Sequence, residues 1–250
     1  MAPALTVLAD GQQLAALVAD RLLAALASGR PLGLATGRTM EPVYAALRHR
    51  IAALPPRQRQ QLLAGWCSFN LDEYVGLEPE DPRSFAGVMA AALGRPLQLP
   101  AGRLQLPDGR AADPDAEARR YSAALEEAGG IGLQLLGLGS NGHVGFNEPP
   151  CAADAPCRCL PLAAATRQQN AGAFGGDPAA VPQRAISLGL ADILAADQLL
   201  LVVTGAGKAE ILRRSLQEPP CPEVPASWLQ RHPRLEVVVD AAAAAALRLS

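Results

Sequence analysis

The sequence predicts an α/β fold: one doubly wound domain on a mostly parallel sheet, with helices on both faces. Three observations predict it. Short apolar runs alternate along the chain with segments of helical periodicity, the pattern of successive βαβ units. Two runs, IGLQLLGLG (131–139) and QLLLVVT (198–204), are almost continuously apolar, as strands covered on both faces are. The unusual motifs all follow such runs, and in open parallel sheets ligands collect beyond the carboxyl ends of the strands.

The elements follow in order. ALTVLA (4–9) is a strand, and Asp10 and Gly11 lead into an amphipathic helix through Leu26. PLGLA (31–35) is a buried strand, followed by the loop TGRT (36–39) and a helix through His49. Gln58 to Leu63 is a short helix, and WCSFN (66–70) is a strand ending in the loop LDEYVGLEPEDP. Ser84 to Leu93 is helical. The stretch 95–114, rich in Pro, Gly and polar turns, is irregular. Asp115 to Glu127 is a helix with acidic residues near its start. After the strand 131–139, residues 140–183 are rich in Gly, Pro and Ala without clear periodicity. A loop of that length in a compact domain is a functional lid or disordered, and a mobile lid is expected at about 151–183. Ala185 to Leu194 reads as a helix, 198–204 as a strand, and GAGK (205–208) opens a helix through Leu216. Ala226 to Arg231 is a short helix, LEVVVD (235–240) is the last strand, and the Ala-rich C-terminus is helical. No internal repeat or linker appears, so residues 1–250 are expected to form a single domain.

Composition narrows the function. With 22 Lys+Arg against 24 Asp+Glu, the net charge is −2 and no basic run appears, so the footprint of a nucleic-acid binder is absent. No apolar stretch approaches a membrane span, and the N-terminus MAPALTVLADGQQ lacks the basic and apolar regions of a signal peptide. Five Cys in a chain of this size suggest no disulfide framework; Cys151, Cys157 and Cys159 match no standard zinc spacing. A cytoplasmic enzyme is expected. One count stands out: Lys208 is the chain's single Lys. Either it survived compositional drift by chance, or a compact, flexible ammonium is needed there.

Four strand-end loops carry chemistry. Thr36-Gly37-Arg38-Thr39 joins a strand to a helix N-terminus. That suits a phosphate, or is a plain turn with Thr39 as N-cap. Asp72-Glu73 is either a solvated turn or a general base with a neighbour that supports its loop. Gly137-Leu138-Gly139-Ser140-Asn141-Gly142 matches G-x-G-x-x-G, but the prolines at 149 and 150 and its place late in the chain argue against a dinucleotide. His143 and Glu148 follow in the same loop, where a carboxylate can orient an imidazole. Gly205-Ala206-Gly207-Lys208 is no Walker A loop. Lys208 sits at a helix start, whose positive dipole end disfavours a cation unless an anion binds there.

These blocks resemble the glucosamine-6-phosphate deaminase family: Gly33 to Thr39, the run Phe69-Asn70-Leu71-Asp72-Glu73-Tyr74-Val75-Gly76-Leu77, and Gly137 through Pro149 with its G-H-V-G-F-N-E-P core. Thr166-Arg167 with Asn170, Val181-Pro182, Gly205 through Lys208 and Leu229 through Pro233 continue the likeness over nearly the whole chain. The resemblance implies a Rossmann-like fold shared with 6-phosphogluconolactonases, whose D-E-R and S-L-F-P patterns this chain lacks. It implies a hydrolase acting on a C–N bond in amino-sugar catabolism, converting glucosamine 6-phosphate and water to fructose 6-phosphate and ammonia.

Asp72 would move the C2 proton to C1. His143, modulated by Glu148 and held by Asn141, would open the ring. Thr36, Gly37, Thr39 and Lys208 would hold the phosphate. Arg38 stands where the family more often has a small residue and would compensate for the phosphate-directed Arg missing at Gly172; Arg167 is the other candidate, as a lid contact. Arg158 matches an effector-contacting position of allosteric members. The resemblance implies a small-molecule sugar phosphate as partner, no metal and no organic cofactor. The short C-terminal region implies a monomer or weak homo-oligomer. The alternatives are 6-phosphogluconolactonase or another amino-sugar-6-phosphate isomerase on this fold, or a non-catalytic sugar-phosphate sensor.

Overall fold

A computed structural model describes residues 3–248; Met1, Ala2, Leu249 and Ser250, at the ends of the segments read above, lie outside that range. The chain runs β1 (Ala4–Leu8), α1 (Gly11–Ala27), β2 (Leu32–Leu34), α2 (Met40–Ala52), α3 (Pro56–Ala64), β3 (Ser68–Asn70) and β4 (Asp72–Tyr74). It continues through α4 (Phe85–Met89), a π-helical turn (Ala90–Gly94), α5 (Arg95–Leu97), β5 (Leu104–Gln105), α6 (Pro114–Glu127) and β6 (Leu133–Leu136). Then come β7 (Arg158–Pro161), α7 (Ala164–Asn170), β8 (Arg184–Ser187), α8 (Leu190–Leu194) and β9 (Gln198–Val203). A 3-10 turn (Ala206–Lys208), α9 (Ala209–Gln217), a 3-10 segment (Pro225–Arg231), β10 (Leu235–Asp240) and α10 (Ala241–Ala244) complete it.

Seven strands form one sheet in the order β1-β10-β9-β6-β2-β3-β5, with all its pairings parallel. Its central strands are buried along most of their length: Leu199, Leu200 and Leu201 on β9 and Leu135 and Leu136 on β6 are 0% exposed. Helix α1 shows how the helices attach. Asp10 accepts hydrogen bonds from the N–H groups of Gln12 and Gln13 and starts the helix. Leu14, Val18, Leu22 and Leu26 then bury one stripe, each contributing roughly 1.5–3 kcal/mol.

The expected parallel sheet is present, but a second sheet is not what the sequence suggested. Strands β4, β8 and β7 make an antiparallel three-stranded sheet. Asp72-Glu73-Tyr74, read as loop, is a strand, and Ala185-Ile186-Ser187, read as the start of a helix, belongs to β8. The helix there is only α8. A short buried run such as Ala185–Leu190 fits either state, and here the cross-strand partners decide it. The segment 140–183 also contains β7 and α7 rather than loop alone. Under the small sheet lies a second core of Tyr74, Phe146, Leu160, Leu162, Ala171, Phe174, Val181 and Ala185. Phe85 packs on it, with its ring centroid 4.7 Å from that of Tyr74. Three of the chain's four Phe therefore stand in this one cluster.

Glu73 ties the small sheet to its surroundings. Its carboxylate accepts hydrogen bonds from the backbone N–H groups of Tyr74 at 2.7 Å, Phe85 at 2.9 Å and Ala86 at 2.7 Å. Glu73→Ala leaves these donors unpaired, each at about 1–3 kcal/mol. Urea unfolding should show a stability loss of about 3 kcal/mol or more. A loss below about 1 kcal/mol would mean that the donors are satisfied some other way.

Candidate active site

Seven of the residues picked out in the sequence line one cavity of about 450 Å³: Thr36, Gly37, Arg38, Thr39, Asp72, His143 and Lys208. They come from the loops after β2, β6 and β9 and from the start of β4 just beyond β3, where the chain leaves the large sheet at its carboxyl edge. Leu71, Phe85, Leu138 and Phe146 supply apolar wall. The placement follows from topology: parallel strands end on one edge, so loops distant in sequence meet there.

Asp72 and Glu73 divide their work. Glu73 is spent on backbone donors, while Asp72, only 5% exposed, faces the cavity without a hydrogen-bond partner among the described residues. Burial, and then the charge of Glu73, push the Asp72 carboxyl up to about 8, because water no longer solvates the charged form.

His143 is 9% exposed. Its Nδ1 stands 3.4 Å from Glu148 Oε2, within ion-pair range when the ring is protonated but misaligned for a hydrogen bond. Burial raises the Glu148 carboxyl, yet hydrogen bonds and the His143 charge outweigh it and hold the group below its usual range. Asn141 bridges the loop: its Nδ2 donates to Glu148 Oε2 at 2.7 Å, and its Oδ1 accepts from the His143 backbone N–H at 3.2 Å. Asn141 thus holds the main chain of His143 and the carboxylate, not the ring. Neither Asn141 nor Glu148 lines the cavity; both stand behind His143. Gly139 is required for this packing, since a Cβ there would overlap the imidazole of His143.

The cationic part of the cavity holds Arg38 and Lys208. Burial, then the nearby Arg38 charge, lower the Lys208 ammonium below its usual value. Neither cation forms an ion pair with a carboxylate among the described residues. Thr39 is not the side-chain cap of α2. Its Oγ1 instead meets Thr204 Oγ1 at 3.1 Å, which joins the loop after β2 to the loop after β9. The Gly205 N–H donates to Asp240 Oδ2 at 2.9 Å, so the end of β10 steadies the Lys208 loop.

Arg167, expected as the lid contact, does not line the cavity, and its Nε is buried without a hydrogen-bond partner. The next turn of α7 reaches the cavity instead, through Gln169 and Asn170. Asn170 Nδ2 donates to the Tyr74 hydroxyl at 2.9 Å, and Ser140 Oγ donates to Gln169 Oε1 at 2.9 Å. Sequence reasoning missed Gln169 and Asp240. Only the final position of α7 and β10 reveals them, although Asp240 does end an apolar strand, where site residues gather. Among the described residues, no group of three or more His, Cys, Asp or Glu is arranged to hold a metal ion.

A carboxyl poised near neutral pH, an imidazole backed by a carboxylate and two unpaired cations suit proton transfer on a small anionic substrate. Known proteins resemble this chain in sequence and in fold. A sequence model of the family described as glucosamine-6-phosphate isomerases/6-phosphogluconolactonase matches residues 9–239. A glucosamine-6-phosphate deaminase of Rhodopirellula baltica is 42% identical over 216 residues, covering 86% of this chain and 84% of that protein. A protein of the same name from Streptomyces coelicolor is 39% identical over 219 residues, covering 88% and 82%. The solved structure of a monomeric glucosamine-6-phosphate deaminase superposes with a TM-score of 0.90 at 32% identity, covering 97% of this chain and 99% of that one. A 6-phosphogluconolactonase from Leishmania guyanensis, 20% identical and covering 100% of both chains, shares the fold with a TM-score of 0.77. By sequence and by fold, this chain belongs to the glucosamine-6-phosphate isomerase/6-phosphogluconolactonase family.

Proposed function

We propose that the chain is a glucosamine-6-phosphate deaminase, producing fructose 6-phosphate and ammonia from glucosamine 6-phosphate and water. The observation that carries this is the unpartnered Asp72 carboxyl in the same cavity as His143 and the Arg38–Lys208 cation pair. The similarity to proteins of that name supports it.

The chemistry assigns each group a task. The phosphate dianion is held by Lys208 and Arg38, with Thr36, Gly37 and Thr39 offering hydrogen bonds from a helix start. His143 moves a proton from O1 to the ring O5, which opens the sugar. Glu148 stabilises the imidazolium formed in between. Asp72 takes the C2 proton, whose acidity the C1 aldehyde raises, and returns it to C1. The nitrogen is then an imine on C2. Water adds to that carbon, the C–N bond breaks, and the products are a ketone and ammonia. The segment 151–183 serves as the lid, with Gln169 and Asn170 at the cavity. The protein works as a monomer, as the similar solved deaminase is described to be. Its five cysteines are free thiols, which fits a reducing, cytoplasmic compartment.

Ammonia and fructose 6-phosphate should both form when glucosamine 6-phosphate is supplied. No turnover at millimolar substrate, or turnover of 6-phosphogluconolactone instead, would refute the assignment. Asp72→Asn should lower kcat by about 10²- to 10⁴-fold while KM changes little. Because Asp72 acts only when ionised and its carboxyl is raised to about 8, wild-type kcat/KM should climb with pH through that region. A flat profile between pH 6 and 9 would exclude Asp72 as the base. Lys208→Met should raise KM by about 10- to 100-fold, the worth of a charge-assisted hydrogen bond. Lys208→Arg should raise it less, and a KM unchanged in both variants would remove Lys208 from the phosphate site.

A further inference from the structure

In the three-stranded sheet, Asp72 on β4 and Arg158 on β7 both pair with Ser187 on β8. Directly paired residues project to the same face. One row therefore carries a carboxylate, a hydroxyl and a guanidinium, and residues 144–147 of the His143–Glu148 loop lie against it.

Two members of the row hydrogen-bond to that loop. Ser187 Oγ accepts from the Phe146 N–H at 3.2 Å. Arg158 Nη1 donates to Asn147 Oδ1 at 3.0 Å and to the Pro156 carbonyl at 3.0 Å. Its Nη2 faces Cys151 Sγ at 3.6 Å. Asn147 is 0% exposed and spends both amide protons on the carbonyls of Val144 and Leu188, each at 2.9 Å. Gly145, at φ +57°, lies directly over the row: a Cβ there would come within 3.0 Å of Ser187 Oγ and 3.6 Å of Asp72 Oδ2. The loop bearing His143 and Glu148 is thus pressed against the Asp72 carboxylate, and the amide oxygen that holds it takes its N–H donor from Arg158, with the weaker Cys151 thiol donor farther off at 3.8 Å.

We infer that Arg158 is a positioning residue: acting through Asn147, it sets where His143 and Glu148 stand relative to Asp72. This rests on the proposed deaminase reaction, in which His143 and Asp72 act on neighbouring atoms of one substrate. The imidazole moves protons between O1 and O5, and the carboxylate works at C2 and C1. The separation of the two groups must match that span, and an error of 1 Å costs about 10²-fold in rate. Arg158 does not line the cavity. Its contacts all lead back to the loop and to the chain just before β7.

The experiment compares wild-type protein with Arg158→Met and Arg158→Lys. Met keeps most of the stem and removes the donors; Lys restores one donor towards Asn147 Oδ1. In Arg158→Met, kcat for glucosamine 6-phosphate should fall by about 10- to 100-fold, with KM within about threefold, because the phosphate cradle is untouched. Arg158→Lys should recover most of that loss. The side-chain NMR resonances of the His143 imidazole should move in the Met variant and return towards their wild-type positions in the Lys variant. That second measurement needs no turnover, so it tests the coupling even if the deaminase assignment fails. A Met variant with kcat within about twofold of wild type and unmoved His143 resonances overturns the inference. So does a Met variant whose kcat falls only in step with its folded fraction.

Discussion

The chain crosses from one sheet to the other over a single residue. Leu71 donates its N–H to the Leu34 carbonyl of the seven-stranded sheet at 2.8 Å. Its own carbonyl accepts from the Leu188 N–H, just past β8, also at 2.8 Å. With both polar groups committed, one to each sheet, Leu71 cannot shift without breaking a buried backbone hydrogen bond. The next residue is Asp72. Its carboxyl is therefore held at the seam, one residue beyond the end of β3 and one strand away from Ser187. The loop after β6 meets it there from the large sheet, and α7 comes over from the small-sheet side.

The seam accounts for the electrostatics. A carboxyl enclosed by protein with no donor to solvate its charge is destabilised as an anion. The fold tolerates this because the group can stay protonated at little cost, so the expense of burial becomes basicity. Glu73, one position along, lies on the opposite side of the strand and meets three backbone donors. Two chemically similar side chains so acquire opposite duties from the alternation of a strand. At the loops after β2 and β9, the imbalance has the other sign: Arg38 and Lys208 crowd each other with no carboxylate to relieve them. In the proposed reaction, the phosphate dianion of the substrate would relieve that crowding.

Much of this was legible in the residues, and the parts that were not have a common cause. Strands β1, β6, β9 and β10 announce themselves as apolar runs because a parallel sheet covers them on both faces. Asp72, His143 and Lys208 stand out because each follows such a run. The small sheet left no comparable trace. Strand β4 is Asp-Glu-Tyr, β7 is Arg-Cys-Leu-Pro, and β8 is a short buried run that also fits a helix. These segments are strands because of what they pair with, and pairing between residues as far apart as Asp72 and Ser187 has no local signature. Arg167 does not line the cavity for a related reason. Gln169 and Asn170 of the same helix do line it, and which residues face the cavity depends on how α7 docks. Thr39 likewise had the residue type of a cap, yet its hydroxyl was taken by Thr204, which lies 165 positions away.

The solitary lysine has a practical consequence. A protein with one Lys offers an amine-directed reagent one side-chain amine, and here that amine lines the candidate cavity. Its ammonium gives up its proton more readily than an ordinary lysine's, since burial and Arg38 disfavour the charge. Among side-chain amines, acylation at mildly alkaline pH would therefore mark Lys208. Shielding of that mark would count filled sites directly, independent of whether the bound molecule reacts. The single lysine gives this protein a built-in occupancy gauge.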